Sequence, residues 1–265
     1  MQQAARYLFT SIGIVLTIAA AGFFVRAGWA VALWPWPDGR LSFIFLASIL
    51  AASAASLLYI GLSGDLRAAA PGSFNVLISS SASAAYFFLL FLQDPANLKL
   101  LLVSAGLLPV AGFALAVFLW AQRFPLRDPR PAGRLTRISF AVFAFFLGLA
   151  SLMLILKFPV VFPWPLDPRS SVVFGLIFLG NFVYFLYLYL EPYRSMALGQ
   201  WWGFLAYDLV LIVPFIQHIS AVKPEHRLSL LIYVAVLVYS GVAAVITLLP
   251  RSVGRVAHPA GDVGG

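Results

Sequence analysis

Eight apolar runs divide this chain, and each is about as long as the roughly 20 residues that cross about 30 Å of hydrocarbon. They span Tyr7 to about Val25, Leu41–Leu62, Phe74–Leu92, Leu98–Ala121, Ile138–Lys157, Ser171–Leu190, Trp201–Ser220 and Leu228–Leu249. Such runs leave few folds open. Of the 265 residues 62% are hydrophobic and 10% charged, and the mean hydropathy is +0.97. A water-soluble domain cannot hide that share of apolar side chains, whereas a multi-pass membrane protein needs it. The expectation is an all-α polytopic bundle of eight transmembrane helices in a lipid bilayer.

The net charge of +8 does not point to nucleic acid. Its arginines concentrate in one segment, residues 123–137, which carries Arg123, Arg127, Arg130, Arg134 and Arg137 between the fourth and fifth runs. Lysines and arginines are enriched in loops that stay in the cytoplasm. With the N-terminus inside, ten of the seventeen cations fall on the cytoplasmic side: Arg6, Arg67, the five of the linker, Arg194, Arg251 and Arg255. The expected location is the cell (inner) membrane, with both termini cytoplasmic. Residues 251–265, rich in glycine and small or charged residues, read as a disordered tail.

An internal repeat organises the runs. The first is followed by Trp34-Pro35-Trp36-Pro37-Asp38-Gly39-Arg40 and the fifth by Phe162-Pro163-Trp164-Pro165-Leu166-Asp167-Pro168-Arg169. The offset from Trp36 to Trp164 and that from Arg40 to Arg169 agree to within one position. Proline stops a helix by fixing φ and lacking an N–H, and tryptophan suits the headgroup boundary. Recurrence after the same number of helices predicts two four-helix repeats, residues 1–122 and 138–250, joined by the linker 123–137. An even number of helices per copy gives both the same orientation, hence a pseudo-two-fold axis along the membrane normal. The first run corresponds to the internal fifth, so it is expected to stay in the protein rather than act as a cleaved leader.

The turns themselves, carried by Trp36, Pro37 and Arg40 and by Trp164, Pro165 and Arg169, resemble those of a loosely defined group of bacterial multi-pass membrane proteins of unknown function. The first copy has Gly39 where the second has Pro168. The resemblance implies eight spans in a bacterial membrane and no particular activity.

Ionisable groups inside a span cost about 2.5–3.5 kcal/mol at the bilayer centre and so need a reason. Arg26 and Lys157 lie near the ends of their runs, where long side chains reach the headgroups. Asp208 lies seven residues past Trp201 and is too short to do so. It is expected to meet another helix, as a hydrogen-bonded glue residue or as an ion or proton site. In the third run Asn75, Ser79, Ser83 and Tyr86 share one face at helical spacing, and Asp208 corresponds by the repeat to Ser79 or Ser80. Asn181 lies near the middle of the sixth run. A substrate or ion site between the halves would therefore draw on Asp208, Ser79, Ser83, Asn75, Asn181 and Tyr86.

Two functions fit. One is a small secondary transporter or permease with that site between its repeats and a small molecule or ion as cargo. The other is a non-catalytic membrane subunit or scaffold of a larger complex, docked on a membrane protein partner through the aromatic sixth run; a lone monomer or homodimer would fit the transporter. Ala47, Ala51 and Ala55, with Ser48, Ala52 and Ser56, form small-residue rows that suit tight helix packing in either case. There is no cysteine, no motif of a hydrolase, metalloprotease or phosphate-binding loop, and only three histidines. An enzyme, a metal centre and a bound cofactor are not expected.

Overall fold

A computed structural model describes residues 2–249; the expected tail, residues 251–265, lies outside them. Among the described residues, eight helices are long and apolar enough to cross a membrane. In order they are α1 (Gln2–Phe24), α3 (Arg40–Ser63), α4 (Ala69–Gln93), α5 (Leu98–Ala121), α6 (Arg134–Ile155), α7 (Pro168–Leu190), α8 (Arg194–His218) and α9 (Arg227–Leu248). A one-turn helix, α2 (Gly28–Val31), follows α1. The chain is an all-α, multi-pass integral membrane protein.

Each span packs on its hairpin partner: α1 on α3, α4 on α5, α6 on α7 and α8 on α9. The two halves of the chain meet through two seams, α3 against α8 and α4 against α7. These four helices form the inner layer, and the other four flank them. One end of the bundle, the turn end, carries residues 24–40 and 155–168; the other, the linker end, carries residues 121–134.

Hydrocarbon supplies no hydrophobic drive between helices, so close backbone approach must hold them together. Both seams have it. A Cβ on Gly203 of α8 would lie 2.9 Å from Ser56 Oγ and 3.2 Å from the Ala52 carbonyl of α3. One on Gly180 of α7 would lie 2.2 Å from Asn75 Oδ1 and 2.8 Å from the Asn75 carbonyl of α4. Gly180 stands to Ala52, and Gly203 to Asn75, at the same offset in the chain as Trp164 to Trp36. The two crossings are thus exchanged by the same chain offset that relates the two tryptophans.

Helix ends correspond as well. Arg26 and Lys157 are the two non-glycine residues with a left-handed backbone among those described, at φ 55° and 61°. Ala27 N–H donates to Gly22 O and Arg26 N–H to Phe23 O; Phe158 N–H donates to Met153 O and Lys157 N–H to Leu154 O. Both are Schellman ends, in which a left-handed residue closes the last turn. The left-handed backbone costs about 1 kcal/mol for a residue with a Cβ, and a cation beside the helix's negative pole offsets part of that. The two cations expected to reach the headgroups from inside a span therefore stand just beyond α1 and α6, as caps.

The aromatic run of α7 faces inward. Phe178, Tyr184, Phe185 and Leu188 are all buried, and α7 is the most enclosed span, because it sits between α6 and α4. The expected partner-docking surface is instead core. Phe185, for example, stacks on both Phe143 of α6 and Phe204 of α8, at 5.3 and 5.6 Å between ring centroids.

At the linker end the segment before α6 lies as a strap over the 192–195 turn. Ala132 N–H donates to Pro192 O at 2.6 Å and Arg194 N–H to Arg130 O at 2.9 Å. Asp128 pairs with Arg130 at 2.7 Å, a contact that holds its carboxyl at about 2. Arg127 donates to Ser63 O, and Arg67 pairs with Glu191 at 3.3 Å. Beneath the strap, Asp65 is 1% exposed and neither of its oxygens has a hydrogen-bond partner. Burial pushes its carboxyl above the ordinary carboxylate value.

Two outcomes follow from this packing. Gly180→Ala should lower stability in detergent by about 1–3 kcal/mol, the usual cost of overpacking, because its new methyl meets backbone. Gly112→Ala, where a Cβ has nothing within 4 Å, should leave the unfolding midpoint unchanged. For Asp65 the folded state holds its proton more tightly than the unfolded state, so stability should fall as pH rises from the ordinary carboxylate value to the raised one. Asp65→Asn should accordingly raise the melting temperature at neutral pH, and the gain should vanish below about pH 4. A gain independent of pH would show that ionisation is not the cause.

Candidate functional site

The residues expected to form one site fall into two groups. Asn75 Nδ2 donates to Asn181 Oδ1 at 2.8 Å, joining α4 to α7, and Ser79 Oγ donates back to the Asn75 carbonyl at 2.9 Å. Ser83 is buried further along α4, and Tyr86 is half-buried against Phe87. Asp208 belongs elsewhere. It is buried, its Oδ1 accepts from Ser240 Oγ of α9 at 2.9 Å, and a Cβ on Gly241 of α9 would lie 3.3 Å from its Oδ2. Helical phase explains this. Gly203 faces α3, and five residues on, at 100° each, Asp208 is about 140° round the helix. It points to the flanking α9 rather than across the halves. Ser79 faces α7, where its Cβ nears Gly180. Ser80, which the offset of the tryptophans pairs with Asp208, is turned from Ser79 by about a further 100°.

A denser polar cluster lies at the turn end, where the two Trp-Pro turns meet each other. Asp38 is buried; it accepts from Trp34 Nε1 at 2.6 Å, from the Ser170 hydroxyl of α7 and from the Asp167 N–H at 3.4 Å. In return Trp164 Nε1 donates to Ser42 Oγ of α3 at 2.9 Å. Each turn is thus bonded to the first turn of the helix that follows the other. The sequence signal for this was the acid within each repeated turn, Asp38 and Asp167, which the reading of tryptophans and prolines passed over.

The two seams differ at this end. Beside α4 and α7, Arg169 lies over the Trp36 ring at 5.5 Å, Trp36 stacks on Phe87 at 5.6 Å, and Asp167 binds the guanidinium at 3.2 Å. Asp167 also accepts the Arg169 N–H at 2.8 Å, capping α7. Burial works against its negative charge, but the pairing with Arg169 outweighs it, so its carboxyl is held below the ordinary value. Beside α3 and α8 the matching ring pair is Trp164 and Phe215, edge to face at 5.8 Å. Arg40 there has no acid within salt-bridge reach among the described residues. Pro214 follows Tyr86 at the offset that separates the two tryptophans. Beside it a hollow of about 410 Å³ opens, lined by Arg40, Ile44, Trp164, Pro214, Gln217 and His218. His218 is fixed by its Nε2 contact to the Pro163 carbonyl at 3.1 Å. The hollow lies in the size range of small-molecule sites, about 300–1,000 Å³. None of the six expected site residues lines it.

Ser240 Oγ is 2.8 Å from the Val236 carbonyl as well as 2.9 Å from Asp208 Oδ1, and its single proton cannot serve both. A neutral group at 208 that donates to Ser240 Oγ satisfies all three atoms. Asp208→Asn should therefore fold and melt like the parent, whereas Asp208→Leu, which leaves nothing to donate, should cost about 1 kcal/mol. Thermal unfolding in detergent measures both, and a large loss for the asparagine would mean that the carboxylate itself is required. Set against known proteins, the chain matches no family model, no curated protein and no solved structure.

Proposed function

We propose that the protein is a small secondary transporter or permease whose two four-helix halves, descended from one duplicated unit, move against each other about the α3–α8 and α4–α7 seams. One observation carries this reading. The α3–α8 seam is hollow at the turn end, around Arg40 and Gln217, and shut toward the linker end, where Ser56 Oγ donates to the Gly199 carbonyl at 2.9 Å and Gly203 meets Ala52. A cleft between parallel repeats, open to one side only, is what alternating access requires. The excess of arginine supports a cytoplasmic linker end and an outer turn end. The cargo site then lies in the seam, away from Asp208, and no catalytic step is involved.

A second reading, a non-catalytic membrane subunit, draws on a different observation. Asn75–Asn181 and Asp208–Ser240 each join two helices and lie outside the hollow beside Arg40, as glue residues do.

The absence of cysteine makes single-cysteine labelling clean. Gln217→Cys should react at once with a membrane-impermeant maleimide applied from outside. If the halves move, Ser56→Cys should become reactive from the cytoplasmic side of native membranes over minutes. A Ser56→Cys that reacts only after denaturation would remove the transport reading. A stoichiometric second protein in mild-detergent extracts would install the subunit reading in its place.

A further inference from the structure

We infer that the hollow between α3 and α8 binds a small oxyanion, a carboxylate or a phosphate, on Arg40. The chain itself contains the comparison. In the other seam the corresponding guanidinium, Arg169, already holds an oxyanion, since both Asp167 oxygens lie on it at 3.2 and 3.3 Å and its face lies on Trp36. Arg40 has neither partner. Asp38, the counterpart of Asp167 in the first turn, is turned away to Ser170, Trp34 and the Asp167 N–H. The open volume beside Arg40 can take a group of the size and charge of the one beside Arg169.

The walls suit that ligand. A guanidinium presents a planar fork that matches carboxylate and phosphate oxygens. Gln217 is exposed and supplies neutral amide donors. Trp164 and Ile44 give an apolar flank for whatever carries the anion. Asp38 and Asp167, the acids of the turns, are both engaged by other donors, so neither competes for Arg40. Because tryptophans mark the headgroup level, the anion has two sources, a free solute or the phosphodiester of a lipid.

As the substrate of a transporter, the oxyanion rests on the function proposed above; as a ligand, it rests on the hollow alone. The test is calorimetric titration of the detergent-solubilised full chain with acetate, inorganic phosphate, dihexanoyl phosphatidylglycerol and, as zwitterionic control, dihexanoyl phosphatidylcholine. Saturable binding of at least one of the three anions is expected, weakened about tenfold or more by Arg40→Gln and unchanged by Arg169→Gln. Gln217→Trp, which fills the hollow and keeps the arginine, should abolish it and gives an independent answer if Arg40→Gln fails to fold. Binding of acetate or phosphate identifies a soluble anion, and binding of phosphatidylglycerol alone identifies a headgroup. Binding of none of the three, equal binding of the zwitterionic lipid, or equal losses for Arg40→Gln and Arg169→Gln would overturn the assignment. Saturable binding with an inert Ser56→Cys would keep the site and discard transport; labelling without binding would do the reverse.

Discussion

Backbone contact at two glycines is what the rest of this molecule depends on. In hydrocarbon a helix gains nothing by hiding leucines from lipid, so association needs surfaces on which backbones can touch. Gly203 lets α8 lie on the Ala52 carbonyl of α3, and Gly180 lets α7 lie on the Asn75 carbonyl of α4. These crossings define the inner layer. They also set the phase of the inner helices, and with it the direction of every polar group on them. Asn75 and Asn181 face each other because they flank one crossing. Asp208 faces α9 because it lies five residues beyond the other.

Bringing α3 to α8 and α4 to α7 also brings the two Trp-Pro turns together. There the same short sequence is used in two ways. In the second copy the acid caps its own helix and neutralises its own arginine. In the first copy the acid crosses to the other half, where it is buried among donors from Trp34, Ser170 and Asp167. A carboxylate away from water needs several donors, and Asp38 finds the Ser170 hydroxyl and the Asp167 N–H only because the other turn is next to it. The exchange ties the halves together at this end. It also leaves Arg40 without an acid in salt-bridge reach among the described residues.

The sequence read well where the signal was length and periodicity, and poorly where it was direction. Leu41–Leu62 became Arg40–Ser63, and Leu98–Ala121 became α5 without change. The span expected from Trp201 begins seven residues earlier, at Arg194, because its polar first turns lie under the strap, where Arg194 N–H donates to Arg130 O, and hydropathy does not report a helix that pairs with protein. Asp208 was expected across from the serine stripe of α4 and instead meets Ser240 of α9, since the choice between Ser79 and Ser80 as its counterpart is a rotation of about 100°. The aromatic residues of α7 carried no sign of whether they faced lipid or core, because the two media are equally apolar. Arg40 was legible as part of the repeat. Its isolation was not, because that depends on where Asp38 turns.

The difference between the seams bears on function more than either seam does alone. If the only requirement were a stable bundle, the arrangement around Arg169 would serve twice: its guanidinium is paired, its aromatic neighbour is stacked and the ring fills the space beside it. The α3–α8 seam has the same tryptophan and an arginine at the same level, yet Pro214 replaces the bulk of Tyr86 and the acid is withdrawn. An uncompensated cation beside a hollow gains nothing for packing, and a surface arginine needs no hollow. Cation and space together fit the oxyanion ligand proposed above, and the hollow lies in the half of the seam near the turns.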